Sequence, residues 1–298
     1  MGSGLPKERV SVAVATGILS CSRCGIRSWR DVVAGMETMK CLRSVALDGN
    51  KLRKPVPPAF MRLQLWSSLR TLDLSSNGLT CACVMGRLGA CTRSATGVHH
   101  YSDTRVTYPL ESLNLSGNSL HQLPPLLLCL FPKLRRLICR GNNLRLTIDG
   151  GLARCIGPGA ALATVDLGSS GIQKFCLNDV ADGEMEPYPS LRELLLDGNH
   201  IGGVFTLVSM QVAPQTLQAV LPQMRTLNIA SQHGVLERID PSVYAVAPSL
   251  NAIDVSGNAR QTSIMEELRE SDEYKQWCER HKSAVDRQLL CNGDVTLM

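Results

Sequence analysis

The stretch Leu69-Arg70-Thr71-Leu72-Asp73-Leu74-Ser75-Ser76-Asn77-Gly78-Leu79 decides the fold. With its residues numbered one to eleven, leucine holds places one, four, six and eleven, and asparagine holds place nine. The spacing returns at Leu110, Leu113, Leu115, Asn118 and Leu120, and at Leu42, Val45, Leu47, Asn50 and Leu52. Leu191, Leu194, Leu196, Asn199 and Ile201 form another complete copy. Leu134, Leu137, Cys139, Asn142 and Leu144 put cysteine at place six, and Leu162, Val165, Leu167, Ser170 and Ile172 put serine at place nine. Leu250, Ile253, Val255 and Asn258 end in Arg260, and Met224, Leu227, Ile229 and Gln232 form a degraded copy. The earliest is Thr16, Leu19, Cys21, Cys24 and Ile26. Nine starts thus follow one another in steps of 26, 27, 41, 24, 28, 29, 33 and 26 residues.

Places four to six alternate apolar and polar, the pattern of a short strand with one buried face. The place-nine amide points inward, where it can bond backbone groups of the turn leaving the strand. No single copy can bury its apolar face alone, so the copies must stack and share one continuous core. Periods in the high twenties leave room for a helix or turn between strands. Helical signals occur there. Ser28 is placed to cap a helix carrying Trp29, Val32, Val33, Met36 and Met39. Residues 206–224 look similar, as do residues 240–249, which open with Asp240-Pro241. Leu123-Pro124-Pro125-Leu126 predicts an extended or tight return. The step of 41 holds an insertion, placed at the polar residues 92–109 and expected to be a surface loop.

The repeats resemble those of intracellular leucine-rich-repeat proteins, and the resemblance covers most of the chain. It implies an α/β horseshoe solenoid: parallel strands on a concave side, helices and turns on the convex side, and a helical cap at the C-terminal end. Three parts follow, namely an N-terminal edge segment at residues 1–15, repeats at 16–261 and the cap at 262–298. Ile26-Arg27-Ser28-Trp29-Arg30-Asp31-Val32-Val33, followed by the Leu42 to Leu52 copy, is similar to repeats of tubulin-folding cofactor E and its relatives. Similar returns bearing tryptophan occur in phosphatase-regulating subunits and in axonemal dynein-associated repeat proteins. The resemblance implies a protein partner, with tubulin or a phosphatase as candidates. It also leaves open the role of a substrate-selecting subunit of a phosphatase or ubiquitin ligase.

A solenoid suits a 298-residue chain with 4% aromatic residues, because its core grows along one dimension and aliphatic side chains fill it. Net charge is +5 without a long basic run, which gives no support to nucleic acid or a membrane surface as partner. The twelve cysteines fall largely at repeat places or just before them, as Cys21, Cys24, Cys41, Cys129 and Cys139 do. That reads as buried thiols in a reducing compartment, and so as a cytoplasmic protein. Val10 to Ser20 is too interrupted for a secretion signal, and residues 10–15 are expected to form an edge strand over the open end. Beyond residue 262, Ser263 and Glu266 make a possible capping box, and Ile264, Leu268, Trp277, His281, Val285 and Leu289 predict one or two amphipathic helices.

Chemistry has little to stand on. Cys21 and Cys24 with Cys278 and His281 number four zinc ligands, but eight strand spacings of about 4.8 Å put the two pairs far beyond one ion's reach. Cys81, Cys83 and Cys91 near His99 and His100 match no standard ligand set. No catalytic residue, metal or cofactor is implied. The concave face offers more. Place two is Arg43, Arg70, Arg135, Arg192 and Arg225, and place five is Asp73, Asn114, Asp166, Asn228 and Asp254, so a basic edge should run beside an acidic line. Ile138 and Leu195 are apolar where those acids stand elsewhere. The expected partner-binding residues are Arg136, Ile138, Arg140, Asp166, Glu193, Leu195 and Asp197, on a non-catalytic scaffold steered by charge.

Overall fold

A computed structural model describes residues 4–54, 56–80, 107–123, 127–144, 147–148, 161–177, 188–208 and 220–291. The chain falls into two compact units, the first ending at Asn143 and the second beginning at Leu144.

In the first unit the strands β1 (Ile18–Ser20), β2 (Ser44–Ala46), β3 (Thr71–Asp73), β4 (Ser112–Asn114) and β5 (Arg136–Ile138) pair in parallel, each with the next. Their register is that of the repeat, since Leu19, Val45, Leu72, Leu113 and Leu137 stand in line at place four. These five residues are buried, as expected of the inward side of a pleated strand. The described returns are helical: α2 (Trp29–Met36), α3 (Pro58–Met61) with a 3-10 turn at Gln64–Ser67, and α4 (Leu127–Leu130). Ser28 caps α2 by accepting from the Arg30 N–H at 3.2 Å. Beneath these helices lies a run of touching rings. Trp29 meets Phe60 at 5.0 Å between centroids, Phe60 meets Trp66 at 5.6 Å, and Trp66 meets Tyr108 at 5.1 Å and Phe131 at 5.8 Å. Indole N–H groups find carbonyls here, Trp29 donating to Lys54 and Trp66 to Phe60, both at 2.9 Å.

The expected edge strand at residues 10–15 is instead part of a helix, α1 (Lys7–Thr16). Val12 and Val14 are exposed and Ala13 is the residue buried. Pro6 presets the helical entry, and Gly17, at φ 73°, ends the helix before β1 begins at Ile18. Small Ala13 lets the helix lie close. Leu5 anchors it by filling the space over Gly35, where a Cβ would come within 2.5 Å of the leucine.

In the second unit β7 (Thr164–Asp166), β9 (Glu193–Leu195), β11 (Thr226–Asn228) and β13 (Ala252–Asp254) pair in parallel with Val165, Leu194, Leu227 and Ile253 in line. Its returns depart from the expected helices. β6 (Thr147–Ile148) pairs with β8 (Lys174–Phe175), and β10 (Gly203–Phe205) pairs with β12 (Leu236–Ile239), again in parallel. The helical reading of residues 206–224 is not met in 206–208 or 220–224, and 209–219 lie outside the described residues. Between 240 and 249 one short helix forms, α5 (Val243–Val246), opened by Asp240 accepting from the Ser242 N–H at 2.9 Å. Two helices follow the last strand, α6 (Gln261–Glu270) and α7 (Asp272–Cys291), with Ile264, Leu268 and Trp277 buried. The capping box is not made. Arg260 occupies the N-cap, so Ser263 lies inside the first turn and donates to the Glu267 carboxylate at 3.2 Å. Most of the insertion at 92–109 and the prolines at 124 and 125 lie outside the described residues.

Place nine ties neighbouring copies together in both units. Asn118 donates to the carbonyls of Leu115 at 2.8 Å and Leu74 at 3.0 Å, and accepts from the N–H groups of Asn77 and Leu79 at 3.0 Å. Asn199 does the same to Leu196, Leu167, Ser170 and Ile172. Gln232, in the copy that looked degraded, serves as well: it donates to Leu196 at 2.9 Å and accepts from Ile201 at 3.1 Å. Its extra methylene still delivers an amide to the same backbone groups. Each of these side chains is buried, where unpaired backbone N–H and C=O groups would be strongly disfavoured.

Candidate functional site: the outward face of the strands

Places three, five and seven of each copy face outward, and their contents fall into two kinds. At β3 the Asp73 carboxylate accepts from the Ser75 N–H at 2.8 Å and its hydroxyl at 2.6 Å. Asn114 accepts from Ser116, Asp166 from Gly168, Asn228 from Ala230 and Asp254 from Ser256, each through a backbone N–H at 2.9 to 3.0 Å. The expected acidic line is therefore a series of Asx turns that steady the exit of each strand. Asn114 further donates to Asp73 at 3.0 Å. Small residues at place seven go with this arrangement, because the turn folds the chain over the place-five carboxylate or amide.

Four copies lack it: the first two carry Ser20 and Ala46 at place five, and two others carry an aliphatic residue between charges. In the first unit β5 presents Arg136, Ile138 and Arg140; Arg136 is exposed and Ile138 half-buried. In the second unit β9 presents Glu193, Leu195 and Asp197; Glu193 is exposed, accepting from the Thr164 hydroxyl at 3.0 Å, and Leu195 is half-buried. Elsewhere place three is mostly a hydroxyl, at Ser44, Thr71, Ser112, Thr164 and Thr226. Of the seven expected binding residues, three therefore share β5's copy and three share β9's. Asp166 stands opposite Leu195 in register on β7, but its carboxylate serves the turn. Reading places three, five and seven together across all copies isolates these two triplets; reading place five alone does not. The basic edge is partly tied down, since Arg70 lies 3.5 Å from Glu111 and donates to the Pro109 carbonyl at 3.1 Å.

Seven cysteines have described side chains and are free thiols, but only Cys21 and Cys139 of these are buried, while Cys24 and Cys41 are exposed. The buried-thiol reading thus fits two of them. Cys24, at an inward place, has no preceding copy to cover it. Burial, and then Cys24 beside it, push the Cys21 thiol up to about 11. A shallow hollow lies between β13 and the C-terminal helices, lined by Tyr244, Ile253, Met265, Tyr274 and Trp277 among others. Burial pushes Tyr274 up to about 12 and Tyr244 further, so both phenols remain neutral at ordinary pH. Among the described residues no three His, Cys, Asp or Glu side chains are grouped to hold a metal ion, and no helix is long and apolar enough to cross a membrane.

Two family models match the chain, Leucine Rich repeat over residues 67–80 and Leucine Rich Repeat over residues 109–130. With the parallel ladders and the place-nine amides, they define the fold as an α/β leucine-rich-repeat solenoid, a class whose domains are in general protein-interaction scaffolds. No curated protein matches the sequence. Among solved structures, the mouse RP105/MD-1 complex is similar at 19% identity and a TM-score of 0.47, over 81% of this chain and 34% of that one. A leucine-rich-repeat protein of Leptospira interrogans gives 17% and 0.37 over 79% and 60% of the two chains. A plant ice-binding protein gives 19% and 0.34 over 76% and 70%. The chain thus spans about a third of the first of these and three fifths of the second. None is close enough to carry a partner over to this chain.

Proposed function

We propose that this protein is a non-catalytic scaffold that binds protein partners through the outward face of its strands. The contact residues are Arg136, Ile138 and Arg140 in the first unit, and Glu193, Leu195 and Asp197 with their neighbour Asp166 in the second. The observation that carries this is the choice of residues in two copies. Of the nine, only those of β5 and β9 place a charge at both places three and seven around an aliphatic residue at place five; the others fill these places chiefly with small residues. An aliphatic side chain held half-exposed between charges suits a protein surface, where apolar contact supplies affinity and flanking charge supplies selectivity.

The finer readings differ in support. Trp29, which carries the similarity to tubulin-folding cofactor E, is occupied with packing on Phe60 and bonding Lys54. Its presence is explained by the return it fills, so tubulin and a phosphatase remain candidates to be captured and nothing more. The test is affinity purification of the intact chain from cytosol, beside the variant R136E/R140E. A protein retained by the native chain and lost from the variant supports the strand face as the working surface. Equal recovery from both overturns the choice of residues and moves attention to α6 and α7.

A further inference from the structure

Two adjacent copies of the second unit carry histidine at place ten, His200 after Asn199 and His233 after Gln232. Elsewhere place ten holds glycine, lysine, serine, asparagine or alanine. The backbone sets the two histidines close. His200 donates its N–H to the Ile172 carbonyl at 2.8 Å, and His233 donates to the Asn199 carbonyl at 2.7 Å. The buried place-nine amides fix each turn just before its histidine, and Gln232 links the two copies by accepting from the Ile201 N–H at 3.1 Å. Gly234 then stands at place eleven, where most other copies carry an aliphatic residue. A Cβ there would come within 2.6 Å of the His200 carbonyl oxygen and 2.8 Å of the Ile201 carbonyl oxygen. These are backbone atoms that cannot swing aside, so glycine is what lets the two copies meet this closely. The imidazoles, both exposed, lie 5.2 Å apart between centroids and are tilted by 55°. Among the described residues neither ring has a hydrogen bond or an ion pair.

We infer that His200 and His233 together bind a divalent transition-metal ion of the class of zinc(II) and copper(II). Neutral imidazole offers one nitrogen lone pair and is a favoured ligand of these ions, whereas magnesium and calcium take oxygen. Metal–nitrogen bonds of about 2.0–2.1 Å meeting at a tetrahedral ion put two ring centres about 5 Å apart, the separation found here. Turning the rings about their outer torsion brings a nitrogen of each to the ion, since no other partner holds them and this torsion is broad in histidine. The backbone need not move, so the two ligands act as one chelate and ordering them costs little. Two histidines supply half of a four-coordinate shell. The other positions face solvent and are open to water or to a side chain of a bound protein. No ligand motif marks the pair in the sequence, because its members are thirty-three residues apart and only the stacking of copies brings them together. The pair lies past the turn that leaves the strand, and its binding of metal does not depend on the strand face being a working surface.

The experiment is calorimetric titration of the full chain with zinc chloride in chelator-free buffer, beside His200→Ala, His233→Ala and the double variant. Exposed thiols such as Cys24 and Cys41 are present in every sample, so the readout is the difference between chains. The native chain is expected to bind one zinc ion that each single variant binds more than about tenfold more weakly. The double variant is expected to lose no more than either single one, because removing one ligand already removes the chelate. In nuclear magnetic resonance spectra of the native chain, zinc should shift the ring C–H signals of both histidines together. Melting curves in metal-free buffer check folding, and His200→Gln with His233→Gln repeat the titration if an alanine variant fails to fold. A native chain with no zinc site beyond those of the variants overturns the inference. So does an additive loss across the two single variants, or a shift confined to one ring, either of which would mean two separate exposed rings taking up zinc adventitiously.

Discussion

The two units carry the same strand ladder on different backs. In the first, the described returns are helical and rest on touching rings from Trp29 through Phe60 and Trp66 to Tyr108 and Phe131. In the second, the described returns include extended stretches that bond one another, beside the short helix α5: Leu177 donates to Leu207 at 2.8 Å, Gly203 to Val235 at 2.8 Å and Asp240 to Phe205 at 2.9 Å. The difference is one of backbone accounting. A helix satisfies its own N–H groups and stands off the strands, so bulky side chains must fill the space beneath it. An extended return lies closer, needs less filling and must find hydrogen-bond partners in the next copy. Neighbours in the first unit are therefore coupled at the back by packing, and those in the second by backbone bonds.

The largest expected effect tests that coupling. Trp66→Ala removes a fully buried ring that touches three others and an indole donor, and should destabilise the protein by about 3–5 kcal/mol in urea unfolding. Trimming Phe131 to leucine as well should cost less than the sum of the two changes, since the rings interact. The matched pair in the second unit, Phe175→Leu with Phe205→Leu, on β8 and β10, should be additive. Additivity in both units would end the distinction drawn here.

Next comes the feature the units share. Asn118→Ala in the first unit and Asn199→Ala in the second each orphan buried carbonyl and N–H groups in two copies, and should cost about 2–4 kcal/mol. Ser170→Ala, at the same place in the copy that bears β7, should cost about 1 kcal/mol, the usual net contribution of a hydroxyl hydrogen bond such as the one it donates to Gly168 at 3.1 Å. Equal losses at all three places would mean that the amides do not tie the copies together.

The strand side was legible because it is periodic. Leu42, Leu69, Leu110 and their equivalents mark each copy, and the register of every described strand in the two ladders follows them. The returns were not, because nothing repeats there. Ser28 and Trp29 announce α2 by local capping chemistry, whereas β10 depends on a partner, β12, more than thirty residues away. Residues 10–15 misled for a related reason: an edge strand forms only where a sheet edge takes it, and β1 begins after the turn at Gly17. At the candidate site, Arg136, Ile138, Arg140, Glu193, Leu195 and Asp197 could be picked out by their residue types. That Asp166 and the other place-five acids are turn caps could not, because an Asx turn depends on where the next N–H points.

Place eight supplies a finer comparison. It takes a left-handed φ at Gly141, Gly198, Ser169 and every other copy, and each non-glycine there is followed by a glycine in the next copy. Gly198→Ser in the second unit should cost about 1–3 kcal/mol, because its Cβ would come within 2.8 Å of the Ser169 hydroxyl besides adopting a strained φ. Ser169→Gly in the same chain should recover most of that. Gly141→Ser in the first unit follows Gly117, whose nearest atom would be 3.7 Å away, and should cost about 1 kcal/mol from backbone strain alone. A Gly141→Ser as damaging as Gly198→Ser would show that crowding between copies is not what places the glycines.

The smallest effect separates the units by alkali. At place six the second unit uses only hydrocarbon, in Leu167, Leu196, Ile229 and Val255, whereas the first buries the Cys21 thiol. Burial, then Cys24, raise that thiol from 9.0 to about 11, so the folded state holds its proton where the unfolded chain gives it up. The associated stability is complete below pH 9 and is lost as pH rises through about 11. Tyr244 and Tyr274 in the second unit are also raised, but from 10.0, so their loss sets in later. The stability of the first unit should therefore begin to fall between pH 9 and 10 while that of the second holds, with thiol and tyrosine absorbance reporting which group ionises. Cys21→Ala should start from a lower stability, having lost packing, and should flatten that slope. A slope unchanged in Cys21→Ala would assign the alkaline loss to some other group and leave the thiol a purely steric part of the core.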